Sequence, residues 1–381
     1  MHASGSQSQD NSLQVEVLTS PEQVEAIRAE YDLLFTRSGS VSPHLTLEWL
    51  LPWYQVYGAD YDLHFLTVRD AARHLIAAAP LMMGQERWRF LSRRVVRFLA
   101  TGPGLRGQFF ACPADAEYRE SALEAIAQHL VTLLDRCDLV ILDHLSPLAD
   151  GKALLGALQQ QPTIDLLLTS GEPVIYGDLP ASFEEYVQSV HNKNRRNYLR
   201  RGERLLADAN SQLHWEECTR LEDLETYLEQ LASLSIERQA TKGRISTWTK
   251  DQAWTARRLI FSAFLQRGWL RLERLLHEDQ PIAARAGFVC GDTYFANQAG
   301  FDQKFHQLRP SHILYGRRIR NSIEEGLRHF CFGPGYADYK REYFSGILPD
   351  TSVTILPKGG PGRRKEATRL FLQSLRPVHR P

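Results

Sequence analysis

The chain has 381 residues, 45 Lys+Arg against 45 Asp+Glu, and 43% hydrophobic residues. That balance leaves no global field to draw it onto nucleic acid or an anionic membrane, and the length exceeds what one hydrophobic core usually supports, so two domains are expected. The five cysteines, Cys112, Cys137, Cys218, Cys290 and Cys331, form no CxxC pair, which argues against a disulfide framework and against a zinc site.

The first twelve residues, MHASGSQSQDNS, are polar and read as a disordered leader, and no apolar run is long enough to span a bilayer. A cytoplasmic protein with no membrane insertion is the expectation. Leu13 to Thr19 alternates as a strand, and Ser20-Pro21-Glu22 opens a helix with a cap residue and a first-turn proline. Trp49 and Trp53, four residues apart, predict a helix from Leu45 to Tyr57 with one buried face. Strands follow at Asp62 to Arg69, His74 to Met82 and Val95 to Ala100, then a glycine-rich loop, a helix near Tyr118 to Asp135 and a strand at Asp138 to Leu142.

The second half repeats the order. Gln212 to Glu217 reads as a strand, Leu221 to Gln239 and Lys250 to Arg267 as helices, and Trp269 to Leu276 with Pro281 to Val289 as a hairpin. Thr293 to Ala299 is the next strand, Ser311 to Glu325 a helix closed by Gly326, and His329 to Phe332 a further strand. Two copies of one unit are implied, with a leader at 1–12, a first domain at 13–178 and a second at 179–381. Between them runs HNKNRRNYLRRGER, a basic helix with an apolar seam at Tyr198, Leu199, Leu205 and Leu206. It reads either as a solvated linking helix or as a cradle for an anionic substrate, with Lys193, Arg195 and Arg196 as the candidates.

The passage from Tyr294 to Ser311 combines a strand ending at Gly300, a loop holding Asp302 and a helix start at Pro310-Ser311. Such a layout suits a diphosphate at a helix terminus. The stretch Leu270 to Phe344, with Pro281-Ile282-Ala283-Ala284, Gly300-Phe301-Asp302, Pro310-Ser311, Gly326 and Tyr339-Lys340, resembles the acetyltransferase domain of the CelD/BcsL-like family. That family is a branch of the GNAT superfamily related to the FemAB peptidyltransferases. His312 stands where the family usually has Gly, and Cys331 where members tend to have Asp.

The resemblance implies an α/β (α+β) tandem GNAT fold that moves an acyl group from acyl-CoA, acetyl most simply, to an amine, plausibly an amino sugar of a polysaccharide or cell-envelope precursor. It puts the acyl-CoA site at Gln298, Gly300, Pro310, Ser311, His312 and Lys340. Asp302 or Asp338 would serve as general base, and Tyr339 as the acid for the leaving thiolate. No metal and no DNA are implied. Two other readings stand beside it: a FemAB-like aminoacyl transferase using charged tRNA, the weaker because the chain has no basic excess, and a degenerate GNAT pair that only binds.

Overall fold

The computed structural model describes residues 13–88, 91–102, 104–105, 107–147, 149–335 and 338–359, so the leader lies outside the described residues. The first half runs β1 (Gln14–Leu18), α1 (Pro21–Ala26), α2 (Arg28–Ser38), α3 (Leu47–Tyr57), β2 (Tyr61–Arg69), β3 (Leu75–Trp88), β4 (Leu91–Phe98), α4 (Arg119–Leu133), β5 (Leu139–Leu145), α5 (Ala149–Gln159) and β6 (Ile164–Ser170). Then come β7 (Val174–Asp178), α6 (Phe183–Ser189) and α7 (Lys193–Ala207). The second half runs β8 (Leu213–Glu217), α8 (Leu224–Ala240), α9 (Asp251–Gln266), β9 (Leu270–His277), β10 (Gln280–Cys290), β11 (Thr293–Phe301), α10 (Pro310–Glu324), β12 (His329–Pro334), α11 (Asp338–Arg341), β13 (Gly346–Leu348) and β14 (Thr351–Pro357).

The expected duplication is present as two seven-stranded sheets, ordered β1-β2-β3-β4-β5-β14-β6 and β13-β7-β12-β11-β10-β9-β8. In chain order each is antiparallel through its first four strands, β1 to β4 and β8 to β11, and then takes one parallel neighbour, β4 with β5 and β11 with β12. The parallel step requires a crossover, and α4 and α10 supply it.

The sheets do not divide where the sequence suggested, between residues 178 and 179. Strand β7 leaves the first half to lie between β12 and β13, while β14 returns from the far end of the chain to lie between β5 and β6. Each sheet is thus completed by a strand from the other half.

Local signals explain the elements. Ser20 and Gln23 form a reciprocal capping box at α1. The tryptophan face of α3 is core, as its spacing implied: Trp53 is fully buried, and Trp49 meets Phe288 of the second sheet edge to face at 6.0 Å. The hairpin of β9 and β10 turns on Glu278 and Asp279, both at positive φ (49° and 65°), the backbone of a two-residue mirror-image turn occupied here by residues with a Cβ.

Candidate functional site

Strand β11 has nine residues, yet its ladder with β12 has three rungs, from Thr293 opposite His329 to Phe295 opposite Cys331. Beyond that rung the two strands part. Asn297 is an extra residue in β11, because Ala286 pairs with Gln298 while Gly287 pairs with Ala296, and a bulge at that place bends the strand away. Gly300 lets α8 follow the bend: a Cβ there would lie 2.5 Å from the backbone of Leu234 and Ser235. The parting leaves a cleft of about 620 Å³.

Three kinds of surface line it. The exposed edge of β11 contributes Ala296, Asn297, Gln298 and Ala299; the floor is aromatic, with Tyr315, Phe332 and Tyr339; and the rim is cationic, with Arg238 and Lys242 from the end of α8 and Arg309 just before α10. Arg238 lies over the Phe301 ring and Arg309 over that of Tyr198, at 4.8 and 4.4 Å.

The first turn of α10 is less open to anions than the sequence implied. Pro310 brings no N–H, and those of His312 and Ile313 both reach back to the carbonyl of Arg309, at 2.9 and 3.3 Å. The His312 side chain turns toward α7, stacked on Tyr198 at 6.1 Å, with its Nδ1 accepting from the Tyr343 hydroxyl at 2.6 Å and lying against the Arg195 guanidinium. Burial, with Arg195 and Arg309 nearby, pulls its pKa down to about 3, so it is neutral.

The remaining sequence candidates fall in different places. Tyr339 leaves 41% of its surface exposed but ties its hydroxyl to Tyr315, and burial raises its pKa, which keeps the proton on at neutral pH. The Lys340 ammonium donates to the carbonyls of Gly333 and Pro334 at the end of β12, and burial lowers its pKa. Asp302 caps the 3-10 turn Gln303–Leu308, accepting from the Lys304 N–H at 2.8 Å, and is not among the lining residues. The side chain of Asp338 lies outside the described residues. Cys331, itself part of the last rung, is buried with its thiol pushed up to about 12, too protonated for a nucleophile.

The basic helix α7 is not an open cradle. Arg195 is 5% exposed and paired with Glu342, Arg196 donates to the carbonyls of Val190 and His191, and Arg200 pairs with Glu184. Lys193 alone of the three candidates is exposed. On α10, Arg317 and Arg320 meet Glu203, and Arg318 is fully buried between Glu273 and Glu325. The rim cations Arg238 and Arg309 escaped the sequence reading because nothing local marks them; they converge only through the fold.

In the first sheet the equivalent place is filled. The β4–β5 ladder also has three rungs, from Val95 to Arg97, but the following chain closes on β5: the Phe110 N–H donates to the His144 carbonyl (2.9 Å) and the Ser146 N–H to that of Phe110 (2.8 Å). Phe110, fully buried, stacks on Phe98 at 5.5 Å.

A parted parallel pair after a bulged strand, crossed over by a helix, occupies the same residues as a family match: 193–341 fit the family described as the acetyltransferase (GNAT) domain. Residues 193–341 thus match a GNAT acetyltransferase domain. Solved structures extend the fold over both units. The crystal structure of FemX aligns with 92% of this chain and 99% of its own at TM-score 0.64 and 11% identity. The C-terminal domain assigned to a lysylphosphatidylglycerol synthetase of Agrobacterium fabrum aligns over 92% and 96% at TM-score 0.54 and 12% identity. A conserved protein of unknown function from Bacteroides thetaiotaomicron aligns over 90% and 100% at TM-score 0.54 and 11% identity. No curated protein matches the chain in sequence. Among the described residues, no helix is long and apolar enough to cross a membrane, and no group of three or more His, Cys, Asp or Glu is placed to hold a metal ion.

Proposed function

We propose that this protein transfers an acyl group, acetyl most simply, from acyl-CoA to an amine in one step within a ternary complex. The observation that carries the reading is the ladder that stops at Phe295 and Cys331 while both strands continue. An open strand edge offers amide partners to a pantetheine arm, the aromatic floor offers it apolar contact, and the rim offers cations to phosphates. With the first-turn amides of α10 largely engaged, Arg238, Lys242 and Arg309 are the groups suited to the phosphates, beside Ser311.

The amine nitrogen attacks the thioester carbonyl and the C–S bond breaks. Tyr339, protonated and at the cleft, gives its proton to the departing sulfur. Asp338 is the candidate to take the amine's proton; Asp302, engaged as a turn cap, is better placed to hold the end of β11. Gln298 and Gly300 shape the strand edge, and Lys340 fixes the end of β12. Lys193 is the member of the basic window open to an acidic acceptor. We take the acceptor to be an amino sugar of a polysaccharide or cell-envelope precursor and the site of action to be the cytoplasm. Titration calorimetry with CoA, followed by thiol release from acetyl-CoA in the presence of glucosamine, tests this; no heat of CoA binding sinks it.

A second reading is favoured by one finding, the whole-chain likeness to FemX: transfer of an aminoacyl group from charged tRNA, with the rim cations on the acceptor-stem phosphates. Retention of tRNA on filters at low salt that collapses at moderate salt supports it, and no retention removes it.

A further inference from the structure

The segment between α8 and α9 is built differently from the rest of the cationic surface. Residues 241–245 are all exposed, and Ile245, at 86%, is the most exposed large hydrophobic side chain among the described residues. Its turns are held by the end of α8 alone, with the N–H groups of Lys242 and Arg244 both donating to the Gln239 carbonyl at 3.0 Å and that of Gly243 to Ala240 at 2.9 Å. Gly243 has φ 65° with nothing within 4 Å of a Cβ, whereas three residues after Ile245 the chain is pinned by Trp248, 5% exposed beneath the Arg257 guanidinium at 4.1 Å.

Charge marks the same segment. Elsewhere on the molecule Arg28, Arg69, Arg73, Arg200 and Arg258 each pair with a carboxylate. Arg238, Lys242 and Arg244 have no carboxylate within ion-pair range among the described residues, although they stand close enough for burial, Arg238 and Arg244 together to lower the Lys242 pKa. Clustered like charges repel, and an exposed isoleucine among them gains nothing from water. Both costs are relieved by a ligand that brings phosphate and apolar surface together.

We propose that residues 241–246 form a closing subsite for the acyl donor, in which Lys242 and Arg244 pair with the phosphates of CoA while Ile245 covers the apolar part of its pantetheine arm. Closure removes water from around the thioester and joins the α8 side of the cleft to the α10 side. The inference rests on the acyl-CoA reading, since a donor without phosphates gives the loop nothing to close on.

The test uses the full chain, with CoA as the probe. Trypsin cuts after exposed Lys242 and Arg244, and saturating CoA is expected to slow that cut about tenfold, while inorganic phosphate at the same concentration does not. By calorimetry, the double variant Lys242→Glu, Arg244→Glu weakens CoA about tenfold or more at low salt and shows a smaller salt dependence than the wild type, Arg238 and Arg309 remaining, and Ile245→Ser weakens it about threefold at any salt. If CoA binds both variants as tightly as the wild type and the tryptic cut is not slowed, the subsite is wrong while the acyl-CoA reading stands. If the wild type binds no CoA, or tRNA protects the loop and CoA does not, both fall.

Discussion

At the scale of single residues, the most consequential decision in the chain is a buried charge set beneath the second sheet. Glu273 and Arg318 are each fully buried, 3.2 Å apart, and Arg285, 2% exposed, completes the set with its Nε 3.7 Å from the other Glu273 oxygen. Removing the Glu273 carboxylate takes from buried Arg285 its ion pair and leaves Arg318 to Glu325 and Glu217 at its rim, so Glu273→Gln is expected to cost about 3 kcal/mol in urea unfolding, whereas Glu273→Leu with Arg318→Met costs less than the single change. The buried histidines set acid sensitivity. His64 and His129 share a 3.0 Å contact between ring nitrogens; burial first, then the neighbouring ring and Arg136, lower His64 to about 4, and His129 is lowered too. The unfolded chain, titrating near 6.5, therefore binds more protons than the folded one between about pH 6.5 and pH 4, and stability falls as pH drops through that window. His129→Gln is expected to flatten the fall in melting temperature across it.

At the scale of elements, the parting of β11 from β12 depends on a helix being able to sit close. With a Cβ at Gly300 forced against the backbone of Leu234 and Ser235, Gly300→Ala is expected to push α8 outward, lowering stability by about 2 kcal/mol and weakening CoA more than that loss alone explains, read by paired unfolding and calorimetry. Much of this level was legible in advance. Periodicity marked α3, α4, α8, α9, α10 and the strands between them, because each carries its own apolar face. What stayed hidden were β6, β7, β13 and β14. Strands of three to seven residues in irregular surroundings carry little pattern of their own, and β13 shows two exposed residues in three. The site was legible in outline, as a strand, a loop and a helix start. Its chemistry was not, because Arg238 and Lys242 at the end of α8 meet Arg309, some seventy residues later in the chain, only through the fold, and the arginines that look most available, Arg195 and Arg318, are spent inside.

At the scale of the whole molecule, the exchanged strands make the two sheets a single cooperative object. Strand β14 pairs on both sides, with β5 and with β6, so ending the chain at residue 349 is expected to disrupt the first sheet, 200 residues away in sequence, as loss of far-ultraviolet signal and of a single unfolding transition. Residues 13–178 and 179–359, made separately, are expected to be unfolded or aggregated alone and to regain structure when mixed. The contact of Trp49 with Phe288 and the bridge from Arg267 to Glu48 at 3.0 Å hold the halves at their faces as well.

The return of β14 also sets a timetable for synthesis. A ribosome delivers the first half long before the strand that fills the slot between Leu139–Leu145 and Ile164–Ser170, so for most of translation that half waits with two unsatisfied strand edges side by side. The nascent protein is most vulnerable to mispairing in that interval, and its yield in a cell depends on how well helpers shield the slot until residue 357 emerges.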